Sequence, residues 1–165
     1  MSRSKNKIAL ILPVHCDDSL ASARLLVEEG FKLGIGGPVQ RVLERVVENV
    51  GHGALGLLIE NSCLSEVVPI YKKVTCYFNG SIDLLVVNTP HTTGKDHFDL
   101  TEAFFAVQYA LPFLTSKAIV IFNDAFLTTD HLALMMSQPV NKMTGVRIFW
   151  SGNLISIASK ITNKN

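Results

Sequence analysis

Two near-continuous apolar runs, Ile82-Asp83-Leu84-Leu85-Val86-Val87 and Lys117-Ala118-Ile119-Val120-Ile121-Phe122, constrain this chain more than any other feature. Each has the length of a strand and lacks apolar/polar alternation, which is how a strand covered on both faces reads. Such strands belong to a parallel sheet with helices above and below. The first run ends in Asn88-Thr89-Pro90 and the second in Asn123-Asp124, with a long apolar helix expected between them from about Asp99 to Thr115.

The segments before these runs continue the alternation. Lys7 to Leu12 reads as a buried strand stopped by Pro13, and Asp17-Asp18-Ser19 offers caps for a helix with Leu20, Ala23 and Val27 on its apolar face and Gly30 at its end. Phe31 to Ile35 reads as a second strand closed by Gly36-Gly37. Pro38 suits a first helical position, and Val39, Val42, Leu43, Val46, Val47 and Val50 recur at helical spacing opposite Arg41, Glu44, Arg45 and Glu48. Ala54 to Ile59 is a third strand ending at Glu60, and a helix from about Ser65 to Phe78 follows. After Asp124 the pattern predicts a helix over 129–136 and a strand over Val146–Trp150. A further strand over Leu154–Ala158 could pair with that one as a C-terminal hairpin.

Strand and helix therefore alternate along a single domain of 165 residues with polar tails at about 1–6 and 159–165. The expected fold class is α/β, a doubly wound parallel sheet of about six strands with helices on both faces and right-handed crossovers.

Composition excludes several functions. A formal net charge of +1 with 18% charged residues leaves no basic footprint for nucleic acid. No apolar run reaches membrane-spanning length, and Ile8–Val14 is too short for a signal-peptide core. Cys16, Cys63 and Cys76 are odd in number and contain no Cys-x-x-Cys pair, so they read as buried reduced thiols of a cytoplasmic protein.

The pieces Lys7-Ile-Ala-Leu-Ile, Val27-Glu-Glu-Gly30-Phe-Lys, Ile82-Asp-Leu-Leu-Val-Val-Asn-Thr-Pro90, Phe105-Ala-Val-Gln-Tyr-Ala-Leu-Pro112, Ala118-Ile-Val and Gly145-Val-Arg-Ile occur in an order and spacing that resembles the short-chain dehydrogenase/reductase family. The resemblance covers nearly the whole chain and implies a Rossmann sheet of strand order 3-2-1-4-5-6. It also implies what this sequence lacks. The family's cofactor loop, Thr-Gly-x-x-x-Gly-x-Gly, uses glycine so that backbone can approach a pyrophosphate at a helix N-terminus. Pro13, Asp17 and Ser19 stand at its glycine positions. Each carboxylate of Asp17 and Asp18 within about 5 Å of a phosphate would cost on the order of 3 kcal/mol at an effective dielectric near 20.

Gly36-Gly37 stands where an acid or arginine would select between the two nicotinamide cofactors. Glu60 and Asn88 match positions near the adenine and in the Asn-Asn-Ala-Gly signature. Asp99 and Asp124 match the family's catalytic asparagine and serine, and the tyrosine and lysine positions fall near Ser137 and Asn141. No Tyr-x-x-x-Lys occurs, so no tyrosine is positioned as acid/base with a lysine lowering its pKa. The resemblance thus implies a shortened, degenerate relative with neither catalytic residues nor cofactor, a non-catalytic interaction or scaffold protein. The alternative is an oxidoreductase or small-ligand sensor that retains a modified cleft.

A cluster of Asp17, Asp18, Asn88, Asp99 and Asp124 at the carboxyl edge would form a candidate ligand cleft suited to Mg²⁺ or a polyamine. Helix capping and solvent exposure account for the same acids more simply. His15, His91 and His97 lack metal-ligand spacing, so no metal is expected. A phosphoreceiver domain is disfavoured because its acceptor position would hold Asn88 and no lysine closes the last strand. The apolar helix carries Leu100, Phe104, Phe105, Gln108 and Leu111 as candidate contacts of a homodimer, or of a pair with a catalytic relative, as in the resembling family.

Overall fold

The computed structural model describes residues 6–14, 19–51, 53–59, 64–88, 100–123 and 146–151. Six parallel strands form one sheet: β1 (Ile8–Leu12), β2 (Lys32–Gly37), β3 (Ala54–Leu58), β4 (Ile82–Asn88), β5 (Leu114–Asn123) and β6 (Arg147–Ser151). Their order is β3-β2-β1-β4-β5-β6, the doubly wound order expected above. Between them run α1 (Leu20–Glu28), α2 (Gln40–Val50), α3 (Leu64–Phe78) and α4 (Leu100–Ala110). The order reverses between β1 and β4, so the carboxyl ends of these two strands flank the switch point at which open α/β sheets bind ligands.

The apolar runs are continuous because the sheet has two cores. Ile8, Leu10, Leu12, Leu85, Val87, Val120 and Phe122 pack on one face with Val67, Tyr71 and Val74 of α3 and Ala103, Ala106 and Val107 of α4. Ala9, Ile11, Leu84, Val86, Ile119 and Ile121 pack on the other with Ala23 and Leu26 of α1 and Leu43 and Val46 of α2. Alternate side chains of one strand thus enter opposite layers, each apolar. At the amino end of the sheet, Asp83 Oδ2 accepts the Ile8 N–H at 2.9 Å, which explains the one acid inside the β4 run.

Five sequence expectations are corrected, the first being Cys76, which is exposed rather than buried. Gly36 and Gly37 do not close β2 but belong to it, paired with Leu57 and Leu58 of β3. A Cβ on Gly37 would lie 2.2 Å from the Val14 carbonyl oxygen, so the glycine is set by close backbone approach rather than by a turn. Helix α2 begins at Gln40, two residues after Pro38, with Val39 at the cap. The α4 helix stops at Ala110 and is followed by a 3₁₀ turn over Leu111–Phe113; β5 then starts at Leu114, opposite Ile82, and contains Thr115 and Lys117. Apolar residues continue across that boundary because the turn packs Phe113 and Leu114 against the α3–α4 core. Finally, Ser19 occupies the α1 cap position with helical dihedrals and makes no capping hydrogen bond.

Strand β6 is parallel to β5. The expected hairpin partner over 154–158 and the expected helix over 129–136 lie outside the described residues.

Candidate functional site

The candidate site is the carboxyl edge of β1, β4 and β5. Three buried parallel strands end there together, so their terminal polar groups are brought side by side. Pro13 and Val14 continue β1 as buried backbone. The Val14 N–H donates to the Gly36 carbonyl at 2.8 Å, and Ile59 N–H donates to the Gly37 carbonyl at 2.9 Å, which ties the ends of β1, β2 and β3 into one layer.

Asn88 is the centre of a side-chain ladder across this edge. Its Nδ2 donates to the Pro13 carbonyl at 3.0 Å and to Ser19 Oγ at 3.4 Å. Its Oδ1 accepts the Asn123 amide at 2.9 Å. An asparagine side chain has two donor hydrogens and one carbonyl acceptor, and here both groups are engaged with the scaffold. The residue that matches the family signature therefore fastens the start of α1 and the end of β5 to the end of β1. Asn123 was not singled out from sequence as a site residue; the available signal is that both apolar runs end in asparagine.

A glycine-rich loop holds a pyrophosphate with main-chain N–H groups that point at the phosphates, and of the residues that stand at such a loop here Pro13 and Val14 are described. Pro13 has no N–H, and that of Val14 is given to Gly36. The first-turn amides of α1 are the donors that helix geometry leaves at this edge, and in sequence Asp17 and Asp18 immediately precede them. Gly36 and Gly37, which the resemblance matches to the cofactor-selecting position, are buried within the sheet and carry no side chain.

Of the expected cleft, Asn88 is in place, whereas Asp17, Asp18, Asp99 and Asp124 lie outside the described residues, as does Glu60. No group of three or more His, Cys, Asp or Glu that could hold a metal occurs among the described residues. Of the candidate contact residues, Phe105 is exposed, Gln108 is partly exposed and Leu111 lies in the 3₁₀ turn. The backbone of Leu100 and Phe104 belongs to α4. Among the described residues of the helix, Ala103, Ala106, Val107 and Ala110 face the core, while Phe105 and Tyr109 are 40% and 48% exposed. The most buried polar group between helices is Tyr71, whose hydroxyl donates to the Ala106 carbonyl at 2.7 Å. Burial pushes its phenol far above the ordinary tyrosine range. No helix among the described residues is long and apolar enough to cross a membrane.

Sheet order and edge define a doubly wound, Rossmann-like α/β protein. Solved structures narrow this to the fold of the short-chain dehydrogenases/reductases. A mutant short-chain dehydrogenase/reductase from Serratia marcescens matches with TM-score 0.60 at 16% identity, over 82% of this chain and 64% of its own. FabI from Alistipes finegoldii matches with TM-score 0.65 at 16% identity, over 88% of this chain and 69% of its own. A mutant actinorhodin polyketide ketoreductase with NADPH matches with TM-score 0.63 at 16% identity, over 88% and 69%. All three are short-chain dehydrogenase/reductase family members, as the sequence resemblance implies. The chain spans less than two thirds of the length of the first of them. No family model matches the chain, and no curated protein matches it.

Proposed function

We propose that this protein is a non-catalytic, cytoplasmic interaction or scaffold protein on a short-chain-dehydrogenase fold, which acts by pairing with a second copy or with a catalytic relative through α4. The observation that carries the loss of cofactor binding is the closed main chain at the end of β1. Val14 spends its N–H on Gly36, Pro13 has none, and the Pro13 carbonyl is held by Asn88. Loss of chemistry has separate support. Strands β5 and β6 are parallel neighbours, so the connection between them is a crossover, and residues 124–146 contain no tyrosine to act as acid/base.

The test is a titration with NAD⁺, NADH, NADP⁺ and NADPH followed by melting temperature, since a ligand that binds only the folded state must raise stability by mass action. No shift up to about 1 mM is expected; a saturable rise at tens of micromolar overturns the reading, because at about one hundred times Kd it would contribute roughly 2.7 kcal/mol.

A further inference from the structure

We infer that β3 is a second homotypic interface, at which two copies of the chain join their sheets by antiparallel pairing of β3 with β3 about a two-fold axis at Gly56. This goes beyond pairing through α4 and does not depend on it. The hydrogen bonds of β3 fix which groups are available. Gly53 O accepts from Leu33 N–H, and Ile59 N–H donates to Gly37 O. In a parallel ladder the residues between them alternate, so Leu55 and Leu57 also face β2, while Ala54, Gly56 and Leu58 present their main-chain groups to the open side. Among the described residues no strand pairs with that side.

The open groups are self-complementary. The Ala54 N–H is already spent on Gly51 O at 3.2 Å, which among the described residues leaves Ala54 C=O, both groups of Gly56, and both groups of Leu58. A two-fold at Gly56 sets Gly56 opposite Gly56 and Leu58 opposite Ala54. Leu58 N–H then donates to the Ala54 carbonyl of the other copy, and Gly56 N–H to the Gly56 carbonyl, each occurring twice. The fourth bond of the ladder, from Ala54 N–H to the Leu58 carbonyl of the other copy, is not formed because that N–H is held by Gly51, so each Leu58 carbonyl stays open at the end of the paired segment.

Side chains fit the same axis. Ala54–Ile59 contains no charge and no proline, the two devices by which exposed edges are commonly blunted, and a two-fold therefore brings no like charges together along the strand. Leu58 is 40% exposed and would cover Ala54 of the other copy. Gly56 adds no bulk at the axis; a Cβ there would press on Val47 Cγ2 at 3.3 Å, so it is also the residue that lets α2 lie close to the edge strand. With strands ~4.8 Å apart, α2 helices lying over β2 and β3 of each copy would be ~10 Å apart, the spacing of packed helices, so α2 would also meet its copy across the axis.

Two measurements test this. In wild-type protein the Gly56 and Leu58 amides should exchange with deuterium at least ~100-fold more slowly than open-edge amides, with the protection lost on dilution. Open-edge exchange, or protection that persists in protein sedimenting as a monomer, overturns the proposal. In the second, Leu58→Pro removes the outward donor while leaving the bonds to β2 intact. In a Phe105→Glu background, which separates this contact from α4, the chain should sediment at twice its mass and fall to a single chain when Leu58→Pro is added, with its circular dichroism retained. If α4 pairing fails instead, Phe105→Glu changes nothing and Leu58→Pro alone still halves the mass. A folded Leu58→Pro protein of unchanged mass overturns the β3 interface in either case.

Discussion

The Asn123 side-chain amide donates to Asn88 Oδ1 across 2.9 Å, at the register position where β4 and β5 both end. Asn88 in turn donates to the Pro13 carbonyl. Three neighbouring strands are thereby latched at their carboxyl ends, beside the switch point of the sheet. In this chain the asparagine holds scaffold to scaffold.

Asn88→Asp is the substitution that tests the latch, because a carboxylate keeps an acceptor for Asn123 but loses both donors and faces the Pro13 carbonyl with negative charge. It should lower stability by about 2 kcal/mol, the cost of leaving a buried carbonyl unsatisfied. Urea unfolding measures it through the midpoint at constant slope. A midpoint within error of wild type would mean that the ladder contributes nothing.

Gly37→Ala should be worse than its size suggests. The added Cβ would sit 2.2 Å from Val14 O, an atom of buried backbone that cannot rotate away. Separating β1 from β2 there also breaks the Val14 to Gly36 bond, so a loss of about 3 kcal/mol or more is expected from overpacking and the lost hydrogen bond together. Gly53→Ala is the comparison, since its nearest non-neighbouring atoms lie at 3.6 Å or more and it should cost far less.

Tyr71 sets an alkaline limit on stability. Its phenol is buried between α3 and α4, donates to Ala106 O, and is held above the ordinary value near 10 by desolvation. A pKa raised in the folded state means that above pH 10 the unfolded chain releases a proton that the folded chain keeps, so stability is full below about pH 10 and falls as pH rises beyond it. Tyr71→Phe should cost about 1 kcal/mol at pH 7 and flatten the decline between about pH 10 and 11.5. An equally steep decline in both proteins would assign it to other groups.

The sheet was legible in the sequence because strands buried on two faces leave an unambiguous apolar signature, and strand order followed from the sequence resemblance. What misled was residue chemistry with two meanings. Gly36-Gly37 reads as a turn, yet Gly37 answers to the Val14 carbonyl, a contact between residues that no local pattern reveals. Leu111-Pro112-Phe113 continues the apolar run of α4, but the backbone tightens into a 3₁₀ turn so that Leu114 can meet Ile82. Asn88 was visible as a surviving signature residue and Asn123 only as a strand end; their bond follows from register, which the sequence leaves open by one residue in either direction.

The last prediction concerns α4. Phe105 and Tyr109 are spaced i, i+4, so they stand together on the helix's outer face, 40% and 48% exposed, while Ala103, Ala106, Val107 and Ala110 fill the core beneath them. Small residues inside and large aromatics outside is the reverse of what an uncovered surface helix favours. Covering both rings at a contact that repeats them on each partner would remove apolar area worth several kcal/mol at about 25 cal/mol per Å², before the cost of association is subtracted. Phe105→Glu or Tyr109→Glu should therefore halve the mass of the assembly in sedimentation while the single chain stays folded, because both side chains lie outside the fully buried core. An unchanged mass in both variants, with folding intact, would leave the aromatic pair as ordinary surface and remove α4 from the assembly.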